Sequence, residues 1–481
     1  MQRGAPIGNL QGGGGITSTR EIEMLTKLRI ENFKAWKDTG EVRVAPLTVL
    51  FGANSVGKSS LGHLLLALKQ TASSADRRRA LHTGDESSLI DLGTFIETLH
   101  GHDKKAVLQF SLEWTIPGGI EVHNPLDRSQ VYRGDRLELA STIAAGPNEQ
   151  PLVRTVRYQL RAEDEVVLKA TLSREGNRVQ LSTAPYKLVH AVGRKWPLDP
   201  PEKYYRISEH SLARFQNADF LASFALEVER TLASLSYLGS LREHPRRTYG
   251  WAGNTPETVG AKGEYAIACI LAAEASGRKL NRGKRKRQQS FTPFIAQWLV
   301  DLGVIDSFTV RPTAPGRKDY EVKVKTRGGL TAVALPDVGF GVSQVLPALV
   351  QAFYCAAESI VWIEQPEIHL HPQVQAELAD VFISAVQAYE HGRPRNVQLI
   401  VETHSEHFLN RLQRRIAEEA LRPDDVAIYF ARRTTKGAEL EELKVNWLGD
   451  ITNWPENFFG DEMGDIVART EAASKRRVPT E

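Results

Sequence analysis

Leu47-Thr-Val-Leu-Phe-Gly-Ala-Asn-Ser-Val-Gly-Lys-Ser-Ser60 is an apolar run that closes in a glycine-rich turn. The apolar part reads as a buried β-strand, and Glu41–Phe51 as a whole is expected to be one strand. From Gly52 to Ser59 the chain matches the pattern G-x-x-x-x-G-K-[S/T] in full. On average composition that pattern arises by chance in about 2% of chains this long. The chemistry of phosphate binding asks for these residue types at this spacing. Glycines let successive backbone N–H groups wrap an anion, and Lys58 supplies a positive charge for the β- and γ-phosphates. The Ser59 hydroxyl can ligate Mg²⁺, and the helix that follows points its positive end at the phosphates. Leu61–Lys69 reads as that helix. Gly52, Ala53, Asn54, Ser55, Val56, Gly57, Lys58, Ser59 and Ser60 are therefore candidate ATP-binding residues.

Working outward, 481 residues with 41% hydrophobic and 25% charged side chains leave room for two to four ordinary globular domains. A net charge of +3 does not argue for nucleic acid by itself. Cys269 and Cys355 sit on apolar stretches and suggest neither a disulfide framework nor a zinc site, which fits a reducing cytoplasm. No run approaches the roughly 18 apolar residues that span a bilayer, so no membrane role is expected. Residues 1–23 read as a disordered extension, and 461–481 as a polar tail.

Between these ends, 24–105 forms a first lobe carrying the glycine-rich loop. Residues 106–235 begin with period-two alternation and read as an inserted antiparallel β region, with turns at Pro117-Gly-Gly119 and Glu175-Gly-Asn177. A helix is expected over Ala213–Leu232, and others over Glu264–Ala275 and Phe291–Leu302. The segment 236–335 also holds a basic loop: Arg278, Lys279, Arg282, Lys284, Arg285, Lys286 and Arg287. Residues 336–460 alternate helix and strand, which implies a largely parallel sheet with helices on its faces. The expected fold class is α/β: a P-loop nucleotide-binding head with a mixed or parallel sheet flanked by helices, plus the antiparallel insert.

A loop of this kind needs a carboxylate partner for the metal. Ser359-Ile-Val-Trp-Ile-Glu364 is an apolar strand ending in an acid, the shape of a Walker B segment that holds Mg²⁺ through Glu364. With these pieces in place the chain resembles the ABC-type ATPases of the SMC/RecF/OLD group. Within that group it resembles particularly the ATPase subunits of bacterial anti-phage systems such as Septu and PARIS. Leu28-Arg-Ile-Glu-Asn-Phe-Lys34 is similar to the group's opening strand, and Asn54 sits inside the loop as it does in theirs. Ile363-Glu-Gln-Pro-Glu-Ile-His-Leu-His-Pro372 resembles the Walker B and D-loop, and Glu402-Thr-His-Ser405 the switch-histidine segment. Tyr237–Arg242, Val259–Glu264 and Trp447–Phe459 resemble one uncharacterised branch of the group.

The resemblance implies roles. His404 is the switch histidine near the γ-phosphate, and Glu364 and Ser59 hold the metal. Where most relatives carry a catalytic glutamate this chain has Gln365; Glu367 is the next carboxylate, so hydrolysis is expected to be slow. The signature segment, Asp337-Val-Gly-Phe-Gly-Val-Ser-Gln344, places glycines at Gly339 and Gly341 and a hydroxyl at Ser343. In the group this segment reaches the nucleotide of the opposite subunit, which implies a homodimer or higher assembly. His369, His371 and His404 also match a loose zinc pattern, but the ATPase string accounts for all three. Arg242, Arg246 and Arg247 are candidates for touching phosphate or a neighbouring subunit, and Arg278–Arg287 for binding nucleic acid.

The functional reading is an ATPase that dimerises around nucleotide and regulates a separate effector, a nuclease or toxin, in anti-phage defence. A RecF-like DNA-binding repair ATPase is the alternative. An OLD-type nuclease would need a Toprim domain after His404, where 77 residues follow (481 minus 404). Missing heptads argue against long SMC arms.

Overall fold

The computed structural model describes residues 25–455 other than 194, 195, 284, 285 and 436, together with 458, 467–470 and 472. The extension at 1–23, most of the tail at 461–481, and Lys284 and Arg285 of the basic loop lie outside the described residues.

A six-stranded sheet positions the site. Its order is Leu235–Leu238, Ile360–Glu364, Gln398–Glu402, Leu47–Gly52, Val426–Thr434 and Gly437–Leu443. The first five strands are parallel and the last is antiparallel to its neighbour. Ile360–Glu364 and Gln398–Glu402 are buried at every residue, because helices or a second sheet cover both faces. Successive side chains alternate between two cores. Leu50, Ile360, Trp362 and Ile400 pack with the helices Lys58–Ser73 and Phe220–Ala233 and with the antiparallel sheet. Val49, Phe51, Val361, Ile363 and Val401 face the helices Ala266–Ala275, Phe291–Asp301, Phe340–Tyr354, Pro372–Gln387 and Glu406–Ala417.

The expected strand Glu41–Phe51 is two strands. Val42–Arg43 pairs with Leu25–Phe33 in the antiparallel sheet, and Leu47–Gly52 enters the parallel one. Pro46 lies between them, without an N–H to carry a ladder across, and its carbonyl accepts from Leu399 N–H (2.8 Å). One short break thus passes the chain from one sheet to the other.

The antiparallel sheet has eight strands and includes Leu25–Phe33, paired with Val107–Asn124 in a register that sets Leu28 opposite Leu112. The meander continues through Asp127–Ala145, Pro151–Ala162, Glu165–Glu175 and Arg178–Ala184. Pro117-Gly-Gly119 is not the turn expected. The strand runs through it, and the register slips between Thr115 and Ile120. Gly118 and Gly119 both have φ above +60°, so the segment is a bulge. The turn falls at Asn124–Asp127, where Asn124 Oδ1 accepts from Leu126 N–H (3.1 Å).

The helix expected over Ala213–Leu232 begins only at Phe220. The stretch before it is tied elsewhere: Phe215 bridges His190, and Asn217 Oδ1 accepts from Val189 N–H (2.9 Å). The hairpin Ile305–Pro312/Asp319–Thr326, which belongs to a separate four-stranded sheet, was not read from the sequence. Among the described residues no helix is long and apolar enough to cross a membrane.

Candidate functional site

The strand Leu47–Gly52 delivers the chain to the loop, and the loop feeds the helix Lys58–Ser73. Two glycines make the turn possible. Gly52 has φ +138°, and a Cβ there would lie 2.1 Å from the Ala431 carbonyl oxygen. Gly57 has φ +114°; its carbonyl accepts from the Trp36 indole N–H (2.9 Å), so the hairpin at 33–36 braces the loop.

Lys58 is buried, and its ammonium donates to the carbonyls of Gly52 (2.9 Å) and Ala53 (2.8 Å). Burial lowers its pKa, while the charges of Glu402 and Glu367 oppose the shift. The Ser59 hydroxyl donates to Glu402 Oε2 (2.8 Å), and the Trp362 indole N–H donates to the other carboxylate oxygen (3.0 Å). Glu402 is only 2% exposed. Desolvation, reinforced by the nearby charge of Glu364, pushes its carboxyl up to about 8. A cavity of about 770 Å³ opens above these groups, lined among others by Asn54, Lys58, Ser59, His63, Gln365 and Glu402.

Glu364 ends its strand one position further out in the sheet, paired in register with Glu402. Its carboxylate accepts from the Tyr237 hydroxyl (3.1 Å) and Ser240 N–H (3.3 Å), and His63 Nε2 lies 3.7 Å away. Its carbonyl accepts from Arg242 (2.9 Å). Burial lowers the Arg242 pKa to about 10, with Glu364 opposing the shift.

Gln365 takes a left-handed backbone (φ +43°), lines the cavity, and donates its N–H to the Glu402 carbonyl (2.8 Å). Glu367 is buried and accepts from the His404 backbone N–H (2.7 Å); burial raises its pKa. His404 is half-buried. Desolvation and then the charge of Lys58 push its imidazole down to about 4, with the Gly52 carbonyl opposing. The ring is therefore neutral near pH 7, and Nε2 is buried without a hydrogen-bond partner among the described residues.

Gly339 caps the helix Phe340–Tyr354. Gly341 packs close to the Leu370 side chain and the His369 carbonyl, and Ser343 is 6% exposed. None of the three lines the cavity at the loop. Arg247 pairs with Asp337 (2.7 Å) and so ties the segment after Tyr237–Arg242 to this helix start; Arg246 pairs with Glu243.

Two arginines of the basic loop are committed to internal contacts. Arg278 pairs with Glu390 (2.6 Å) and donates to the carbonyls of Tyr354 (2.5 Å) and Cys355 (3.2 Å). Arg282 pairs with Asp301 and stacks 3.7 Å over the Trp298 ring. Lys279, Lys286 and Arg287 are exposed.

Chemically, the site combines a buried ammonium, a hydroxyl–carboxylate pair and a neutral imidazole whose Nε2 lacks a hydrogen-bond partner among the described residues, at the end of a parallel sheet. Hard oxygen donors beside a lysine suit a magnesium–phosphate ligand. Sequence reasoning placed Glu402 in a motif but gave it no task, and it passed over Trp362, Tyr237 and His63. A signal for Glu402 was present: Leu399–Val401 is an apolar run that ends in an acid, as Ile360–Ile363 does.

Comparison with known proteins adds two partial matches. Residues 305–409 match the AAA ATPase domain family. Residues 421–468 match a family described as a protein of unknown function, DUF3696; that stretch contains Trp447–Phe459. Together the two cover less than half of the chain, and Gly52–Ser59 falls outside both. No curated protein matches the chain. Among solved structures it is similar to an SMC head bound to the C-terminal winged-helix domain of ScpA. That pair has 12% identity and a TM-score of 0.43, covering 87% of this chain and 98% of the other. An SMC head domain with an extended coiled coil, bound to the C-terminal domain of ScpA derived from Pyrococcus furiosus, has 9% identity and a TM-score of 0.42. It covers 94% of this chain and 100% of the other. The SMC head domain from Thermotoga maritima has 10% identity and a TM-score of 0.37, covering 88% and 99%. The fold itself is mixed α/β, with sheets flanked by helices and the glycine-rich loop at the end of a parallel strand.

Proposed function

We propose that this protein binds ATP with Mg²⁺ at the Gly52–Ser60 loop, hydrolyses it slowly, and uses nucleotide-driven dimerisation to regulate a separate effector. The observation that carries the reading is the convergence of Lys58, Ser59 and Glu402 on one cavity of about 770 Å³. That volume is within the range of small-molecule sites, about 300–1,000 Å³. Bound Mg²⁺ supplies charge neutralisation and Lewis acidity at the phosphates. The chain's own residues then have separate tasks. The loop amides and Lys58 cradle phosphate, Ser59 and a strand-end carboxylate orient the ion, and the neutral His404 ring offers Nε2 to the terminal phosphate or its attacking water.

Slow turnover follows from the residues at the water's position. Gln365 lines the cavity, but a carboxamide can orient water without taking its proton. Glu367 is engaged by the His404 main chain. General-base catalysis contributes about 10²–10⁴-fold, so its loss leaves a weak ATPase. Gln365→Glu is expected to raise phosphate release at least tenfold. Gln365→Ala should lower it, and Glu367→Gln should lower it less than threefold, because an amide oxygen still accepts from the His404 N–H. Loss of all phosphate release in Glu367→Gln, with no gain in Gln365→Glu, would make Glu367 the base instead.

The proposal of a dimer rests on Gly339, Gly341 and Ser343 lying away from the chain's own loop cavity. A second copy is the source of their counterpart. Light scattering at micromolar protein should show twice the monomer mass with a non-hydrolysable ATP analogue; a monomer under all nucleotide conditions refutes it. The effector's chemistry would then reside in another protein, and bacterial anti-phage defence is the setting that the resemblance implies. For the alternative, a RecF-like DNA binder, Lys279, Lys286 and Arg287 are the exposed cations among the described residues of the basic loop. Salt-dependent DNA binding lost on substituting these three would favour that reading.

A further inference from the structure

We propose that the carboxylate sharing the magnesium ion with Ser59 is Glu402, and that Glu364 stands outside the ion's inner shell. This rests on the ATPase reading above and reassigns one ligand within it.

Sheet order sets up the choice. Leu47–Gly52 has Gln398–Glu402 as its neighbour, and Ile360–Glu364 is one strand further, at about 4.8 Å per strand. Glu402 pairs in register with Leu50, two residues before the loop opens, and with Glu364 on its other side. Both acids therefore stand at the same level of the sheet, and only one stands next to the loop strand.

Coordination geometry then separates them. Magnesium holds its oxygens at about 2.1 Å in a near-ideal octahedron, so two adjacent ligands lie about 3.0 Å apart. Ser59 Oγ and Glu402 Oε2 are 2.8 Å apart. An ion can take both oxygens with no more than a turn of the hydroxyl hydrogen. The other Glu402 oxygen is held by the Trp362 indole N–H (3.0 Å), which fixes the carboxylate's rotation as an outer-shell donor does. Trp362 is itself locked: a Cβ at Gly62 would come within 2.4 Å of its ring, so the helix carrying Ser59 lies directly against it.

Glu364 is engaged elsewhere. Tyr237 and Ser240 donate to its two oxygens, and on the loop helix His63 Nε2 lies 3.7 Å from it. His63 lies four residues beyond Ser59, about 6 Å along the helix. Glu402 lines the cavity together with Ser59.

The test uses the full chain with Mn²⁺ as the metal probe and a non-hydrolysable ATP analogue. Two readouts are taken: the ratio of analogue Kd without and with Mn²⁺, and the Mn²⁺ coupling to protein carboxylate carbons by pulsed EPR on ¹³C-labelled protein. Glu402→Gln is expected to cut the Kd ratio at least tenfold and to remove the carboxylate coupling. Glu364→Gln should keep the coupling and change the ratio less than threefold. The opposite pattern, with coupling lost in Glu364→Gln, overturns the assignment and leaves the ATPase reading intact. Should Glu402→Gln fail to fold, the Glu364→Gln spectrum alone decides: retained coupling supports the proposal and lost coupling refutes it. Wild-type protein whose analogue affinity ignores Mn²⁺ would refute this inference and the ATPase reading together.

Discussion

Lys58→Ala is expected to weaken ATP binding at least 100-fold by calorimetry and to abolish phosphate release. Lys58 is buried and is the cation that lines the cavity beside Ser59. Its ammonium already reaches the first two carbonyls of the loop, so it stands where phosphate oxygens would be cradled. A hydrogen bond to a charged group contributes about 1.5–3 kcal/mol, and the lysine makes more than one to a triphosphate. Lys34, which also lines the cavity, donates to the Leu92 carbonyl (3.1 Å) and is anchored away from the loop. The variant also removes donors from two loop carbonyls, so its melting temperature must be measured alongside. An unaltered affinity in folded Lys58→Ala protein would end the assignment of this loop as the nucleotide site.

Gly52→Ala is the second large effect, and it acts through packing before chemistry. The added Cβ would sit 2.1 Å from the Ala431 carbonyl oxygen, on the strand paired in register with Gly52. Relief by backbone movement is blocked because Leu47–Gly52 is clamped between Gln398–Glu402 and Val426–Thr434. A positive φ adds strain of order 1–3 kcal/mol, and overpacking typically costs about as much again. Urea denaturation should show a loss of roughly 2–5 kcal/mol, with nucleotide binding lost at temperatures where the fold survives. Gly40→Ala is the control. Gly40 also has positive φ (+66°), but nothing lies within 4 Å of the position a Cβ would take. It should show the backbone strain alone, and equal costs for the two variants would refute the clash.

The part of the fold legible in the sequence is the part governed by neighbours in the chain. Gly52–Ser59 is a loop whose shape follows from two glycines and a lysine within eight residues. The helix after it, and the buried strands Ile360–Glu364 and Gln398–Glu402, are marked by the apolar runs Leu64–Leu68, Ile360–Ile363 and Leu399–Val401. Where local patterns admitted two outcomes, the reading went astray. Pro117-Gly-Gly119 suits a turn as well as a bulge, and the partner strand Asp127–Ala145, continuing past it, decides for the bulge. Glu41–Phe51 looks like one strand until Val42–Arg43 finds a partner in a different sheet from Leu47–Gly52. Arg278 and Arg282 look like free cations in a basic run, yet Glu390 and Asp301, distant in sequence, neutralise them.

The acids at the site show the same division most clearly. Sequence alone determined that two apolar strands end in glutamates, at Glu364 and Glu402, and that a phosphate-type loop precedes both. Which glutamate meets Ser59 depends on the order of strands in the sheet, and no spacing along the chain encodes that order. It arises because both faces of the sheet must be covered at once, one by the loop helix, the helix Phe220–Ala233 and the antiparallel sheet, the other by five helices. That arrangement sets Gln398–Glu402 against Leu47–Gly52 and brings Glu402, 343 residues from Ser59, within 2.8 Å of its hydroxyl.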